Sequence, residues 1–181
     1  MRTTTTSPTG RERTFGADEV IVTKTDLTGR ITYANDVFLR MCACDEGDVM
    51  GRPHNFIRHP DMPRCVFKLL WDTIQSGQEL FAYVINLATD GAHYWVLAHV
   101  TPSYDSSGSI IGFHSNRRSP ARSAIEAIRP IYAALLSEEQ RHSDPVEAIR
   151  AGTALLQSTL ADAGLTYDEF VWSITPIEVT R

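Results

Sequence analysis

Strand-like sequence occurs in two separate stretches of this chain, and the interval between them is helical or punctuated by proline. Val20-Ile21-Val22-Thr23-Lys24-Thr25 is β-branched, Asp26-Leu27-Thr28-Gly29-Arg30 supplies a turn, and Ile31-Thr32-Tyr33-Ala34 resumes the strand character. That pattern predicts a hairpin. Three further strands are expected over residues 80–87, 93–101 and 110–116, with turn signals at Asp90-Gly91 and Asp105-Ser106-Ser107-Gly108. Runs of strands separated by a helical block, without alternation, indicate α+β architecture. The expectation is a five-stranded antiparallel sheet with short helices on one face.

Within the block, Asn35 is a plausible N-cap for a short helix ending near Met41. Residues 45–50 read as a second helical piece, closed by Gly51. Val66, Leu69, Leu70, Thr73 and Ile74 recur at helical spacing until Gly77. After Pro120 the character changes. Ile125, Ile128, Tyr132 and Leu135 form a helical stripe, and Asp144-Pro145-Val146-Glu147 combines an N-cap, a first-turn proline and a capping-box Glu. Ile149, Leu156, Leu160 and Ala163 line the next helix, and Thr166-Tyr167-Asp168-Glu169 opens another. These stripes need a surface to bury against, either the sheet domain or a second protomer. The division read from these shifts is a flexible tail over 1–18, a sensor-sized domain over 19–118 and a helical extension over 119–181.

Between the second and third helical pieces lies His54-Asn55-Phe56-Ile57-Arg58-His59-Pro60-Asp61-Met62-Pro63. Two prolines disfavour a regular helix there, since each removes a donor and restricts its predecessor. Phe56, Ile57 and Met62 are more than a solvated loop needs. The run reads as a shaped wall, anchored by apolar groups and carrying charge suited to an anionic ligand. The alternative is a loop in which Arg58 pairs with Asp61 and His59 lies at the surface.

A net charge of −5 argues against a general nucleic-acid binder, which needs a basic face. No run of about 18 apolar residues is present to span a membrane, and the Thr-rich start lacks the apolar core of a secretory signal. Cys42, Cys44 and Cys65, odd in number and in apolar company, fit reduced thiols and a cytoplasmic location. No metal site is expected. No nucleophile or second carboxylate completes an acid–base constellation, so no enzyme is expected.

Four blocks together resemble a PAS sensor domain, and specifically the flavin-binding PAS domain of bacterial aerotaxis receptors. They are residues 25–38 (TDLTGRITYANDVF), 51–63 (GRPHNFIRHPDMP), the Leu69-Leu70-Trp71 helix end and 91–96 (GAHYWV). The first is generic to PAS domains; the second and fourth are closer to the aerotaxis type. The resemblance implies a cleft between sheet and helices that holds FAD non-covalently, with Arg58, His59 and Asp61 required for flavin binding and Asn35 associated with it. It also implies that Asn86, on the strand used by related flavin PAS domains, bonds the polar edge of the ring; the alternative is an Asn86 that points to solvent. His54 and Trp71 complete the candidate set, with a core role as the alternative for Trp71. The light-oxygen-voltage class places its adduct-forming Cys where this chain has His54, which excludes that photochemistry here. Two departures from the aerotaxis type are Leu80 in place of a Trp, and Asn86-Leu87-Ala88-Thr89 in place of a basic run. The function implied is redox, oxygen or energy sensing, signalled as a homodimer or through an unidentified signalling protein. The rival is a cofactor-free interaction module or small-metabolite sensor, with a haem-based gas sensor behind it.

Overall fold

The computed structural model describes residues 6–176. Strands β1 (Ile21–Thr25), β2 (Ile31–Ala34), β3 (Leu80–Leu87), β4 (His93–Tyr104) and β5 (Ile110–Arg118) form one sheet in the order β2-β1-β5-β4-β3. Every ladder is antiparallel. The first strand pairs with the last, so the sheet closes on itself in sequence before the C-terminal helices begin. Helices α1 (Asp36–Cys42), α2 (Glu46–Val49) and α3 (Arg64–Gln75) fill the interval after β2, with a 3-10 turn at His54–Ile57 between α2 and α3.

Strands β4 and β5 are longer than their sequence pattern suggests. The pattern stops at residue 101 and residue 116, where proline and arginines intervene. Pairing carries both further: Pro102 lies opposite Phe113, and Arg117 lies opposite both Ala98 and Ile21. A residue flanked by partners on both sides stays in the sheet whatever its own propensity. Alternation then decides which groups face inward. Thr23 and Thr25 of β1, Val84 and Asn86 of β3, Ala98 and Val100 of β4, and Phe113, Ser115 and Arg117 of β5 share the face beneath α3.

The helical extension comprises α4 (Arg122–Gln140), α5 (Pro145–Ala163) and α6 (Tyr167–Ile174). The caps read from the sequence are present: the Asp144 carboxylate accepts from the N–H groups of Val146 and Glu147, and Thr166 and Glu169 form a reciprocal capping box. Helix α4 meets the sheet on the face opposite α3, and its last turn reaches the start of α3. There the Tyr132 ring stacks near Trp95, at 6.3 Å between centroids, and the Tyr132 hydroxyl donates to the Tyr83 carbonyl at 2.6 Å. Helix α6 sits against β3 through Phe81 and Trp172, while α5 packs between α3 and α4. The α4 stripe therefore buries within this chain, whereas of the α5 stripe Leu156 is buried, Ile149 and Leu160 are half-buried and Ala163 is exposed.

The flexible tail expected over residues 1–18 takes another form over residues 9–13, which strap the turn between β3 and β4. Thr9 donates its backbone N–H to the Gly91 carbonyl, Glu12 forms a parallel bridge with His93, and the guanidinium groups of Arg11 and Arg13 both reach Asp90. The cause is backbone complementarity: donors and acceptors left over at that turn find partners in the preceding segment. Residues 1–5 lie outside the described residues.

Candidate ligand cavity

Between the inner sheet face, the 3-10 turn and α3 lies a cavity of about 510 Å³, a size typical of small-ligand sites. Its floor comes from the sheet and its roof from the apolar residues of α3, which present Phe67, Leu70, Trp71 and Ile74 along one face. Trp71 meets Phe113 edge-on at 5.5 Å between centroids. Gly29, at φ +78°, lets the β1–β2 turn approach that indole, since a Cβ there would stand 2.9 Å from the Trp71 ring. Trp71 is thus both packed and exposed to the cavity.

Polar groups interrupt these walls at chosen points. Arg117 is 4% exposed, and no carboxylate pairs with it among the described residues. Its Nη2 donates to Thr23 Oγ1 at 2.7 Å and to His54 Nε2 at 2.6 Å, while Nη1 has no partner. Burial brings the guanidinium down to about 10. The same enclosure holds His54 well below its ordinary range, first through loss of water and second through the Arg117 charge. His54 is therefore neutral, with Nε2 accepting and the proton on Nδ1. Arg58 stands over the Phe67 ring at 4.4 Å, and its Nη2 is also buried without a partner. Asn86, 4% exposed, has an unpaired Nδ2, and Ser115 an unpaired Oγ. Arg58 and Asn86 are tied through their backbones by an antiparallel bridge, so the 54–63 segment is stitched to the free edge of β3.

Four of the seven candidate residues therefore meet at one cavity: His54, Arg58, Trp71 and Asn86. The other three stand apart from its lining. Asn35 spends its amide on architecture, accepting from Val22 N and Phe38 N and donating to Val20 O at 2.8–3.1 Å. His59 is buried; its Nδ1 accepts from Asp61 N and its ring lies 5.8 Å from that of His93. Asp61 turns outward, its side chain 71% exposed. The loop ion pair between Arg58 and Asp61 and the surface position for His59 are both absent, and Asn86 faces the cavity rather than solvent. Sequence reading missed Arg117, Ser115 and Thr23. The signal available was period two along β5, counted inward from Phe113. Arg64 and Lys68 add cations from α3. None of Cys42, Cys44 and Cys65 lines the cavity, and burial pushes the Cys65 thiol up to about 12. Among the described residues, no cluster of His, Cys, Asp and Glu could hold a metal, and no helix is long and apolar enough to cross a membrane.

This geometry has relatives. Over 118 residues the chain is 37% identical to the aerotaxis receptor of Escherichia coli strain K12, a match that covers 65% of this chain and 23% of the receptor. The chain thus spans less than a quarter of that receptor's length. Among solved structures, a light-oxygen-voltage domain studied with a flavin analogue superposes with a TM-score of 0.54 at 17% identity, covering 68% of this chain and 87% of that one. That likeness speaks for the fold alone. The dark-state light-oxygen-voltage domain of the blue-light photoreceptor Aureochrome1 gives 0.50 at 27% identity, over 67% of this chain and 83% of that one. The model of the PAS fold family matches residues 19–116, more than half of the chain, which include α3, most of the sheet and most of the cavity lining. The chain belongs to the PAS fold family.

Proposed function

We propose that this protein is a sensor that holds FAD without a covalent bond and reports redox or oxygen state through protein–protein contacts. The observation that carries the reading is the set of unspent polar atoms on residues that line the cavity: Arg58 Nη2 from the 54–63 segment, and Asn86 Nδ2, Ser115 Oγ and Arg117 Nη1 from the sheet. Buried donors without acceptors cost stability, and a buried cation without a counter-charge costs more. A ligand with several acceptors offers such groups partners. The isoalloxazine ring is such a ligand: a flat apolar body to lie between aromatic and aliphatic walls, with ring nitrogens and carbonyl oxygens on one side. Arg64 and Lys68 offer charge for phosphates. Bound flavin would supply the redox chemistry. Asn86 carries donor and acceptor in one amide, so it can serve a ring nitrogen whether or not that nitrogen is protonated. Its backbone tie to Arg58 gives such a change a route into the 54–63 segment.

Sequence likeness to the aerotaxis receptor over 118 residues, together with the resemblance of the 51–63 and 91–96 blocks to the aerotaxis type, supports flavin and redox sensing over light sensing. The placement of His54 in the wall, with no cysteine there, supports the same choice. A cofactor-free module would fill its cleft with its own side chains, against which stands a cavity of about 510 Å³. A haem needs a free axial imidazole, and the lining histidine, His54, already accepts from Arg117. The output proposed is contact with a second copy or with a signalling protein. The test is a visible spectrum of the purified protein before and after adding FAD. Flavin bands that co-elute with the protein and change on reduction support the reading; a colourless protein after FAD addition ends it.

A further inference from the structure

Helix α5 reaches the cavity that sheet and α3 enclose, although it lies outside the matched residues 19–116. Ile149 is part of the lining. Beside it an unusual cap ties α4 to α3. Glu139, in the last turn of α4, is 5% exposed, and its carboxylate oxygens accept from the backbone N–H groups of Arg64 at 2.9 Å and Cys65 at 2.8 Å. These are the first two residues of α3, whose own N-cap position is Pro63 and offers no side-chain cap. A function normally met by a local Ser or Asp is thus supplied from the helical extension, with negative charge at the positive end of the helix. Burial, and after it the Arg64 charge, disfavour the charged form of Arg58, and the Glu139 carboxylate works against both.

Helix α5 is fitted around this contact. At Gly152 an added Cβ would meet Glu139 Cγ and Oε1 at 2.9 Å and Cys65 Cβ at 3.2 Å. The buried face of α5 is otherwise slight, made of Ala148, Gly152 and Leu156. It leans on α3 and α4 together, and Glu139 ties those two helices at the place where Gly152 packs.

We propose that α4 and α5 form a ligand-coupled wall of the cavity, with Glu139 as the latch that holds Ile149 against the bound molecule. The proposal rests on the flavin reading and adds its regulation: occupancy of the cavity and attachment of the extension strengthen each other. The contact with Ile149 exists only when α5 is docked, so a ligand that touches it binds the docked form more tightly. Linkage makes the effect reciprocal, and loosening the latch weakens the ligand by the same factor. Glu139 is a positioning residue here, acting through α3 and α5.

The experiment uses the full chain, with FAD as the probe. Affinity comes from titration, and amide hydrogen exchange is followed in α5 and in the first turn of α3. FAD is expected to slow exchange in both places. Glu139→Gln is expected to speed exchange there without FAD and to weaken FAD by roughly 5- to 150-fold. Ile149→Ala, which leaves the latch intact, is expected to weaken FAD by a smaller factor, and it carries the test if the first variant does not fold. Unchanged or tighter FAD binding by Glu139→Gln overturns the proposal, as does FAD binding that leaves α5 exchange unchanged. If the unaltered protein takes up no FAD, the flavin reading falls and the coupling falls with it. If FAD binds and only the exchange or variant results fail, the coupling alone falls.

Discussion

Residues 54–58 and 59–63 are adjacent in sequence and similar in type, each half carrying a histidine and a charged group, yet they do opposite work. In the first half His54 and Arg58 face the cavity, and Arg58 keeps a buried N–H with nothing to bond. In the second half His59 is engaged by the backbone of Asp61 and the ring of His93, and Asp61 points to water. Two asparagines, one half-buried and one buried, repeat the contrast. Asn35 has spent its amide on Val20, Val22 and Phe38, whereas Asn86 has an amide nitrogen in reserve. Residue type does not separate a strut from a candidate ligand contact. Unspent hydrogen-bonding capacity does.

The largest effect expected from that distinction is at Arg117. Arg117→Met should cost flavin affinity about 2–5 kcal/mol, the range for removing one side of a buried charged contact. It should leave the melting temperature of the flavin-free protein unchanged or higher, because an unpaired buried cation is exchanged for apolar volume. Parallel calorimetry and FAD titration check both halves; a large loss of stability without flavin would make Arg117 a strut. Asn35→Ala should do the reverse, losing an N-cap and a strand tie worth about 2 kcal/mol together. For a chain of this size that is a drop of roughly 4–8 °C, read by thermal unfolding without FAD. Asn86→Ala should weaken FAD by about 1 kcal/mol with no loss of flavin-free stability, since its amide nitrogen has no protein partner to lose. Equal destabilisation by the two asparagine variants would erase the contrast.

The smallest expected effect is a graded response to acid. His54 and His59 are both held below the ordinary histidine range, mainly by burial. The unfolded chain then binds protons that the folded chain refuses, so stability is full above about pH 6.5 and falls as pH drops below it. His54→Gln, which can still accept from Arg117, should flatten that fall, leaving the His59 contribution. Denaturant midpoints between pH 7 and pH 5 measure it.

Much of this was legible before the structure. The order of strands and helices follows from turn chemistry and apolar period, and the caps at Asn35, Asp144 and Thr166 formed where local sequence placed them. Local signals suffice where the interaction is local. Arg117 was not legible because a charged residue after Asn116 reads as the end of a strand, while its place is fixed by ladders to β1 and β4. Glu139 capping α3 and Ile149 lining the cavity depend on how distant helices dock, and no periodicity encodes that. Residues 9–13 carry no strand pattern, and only the leftover backbone groups of the β3–β4 turn make them a strap.

The sheet has two outer strands, β2 and β3, and both are blunted. β2 is four residues long, and Arg30 at its entry bridges Pro53. On β3 the Tyr83 carbonyl is taken by Tyr132, Asn86 is bridged by Arg58, and α6 lies alongside. An outer strand with free backbone groups invites another chain to add itself as the next strand, which is a route to fibres as well as to dimers. Here that route is obstructed at both ends of the sheet. What remains for another molecule to meet is side chains on the helices and on the broad surfaces, where a contact can reverse without unzipping a ladder.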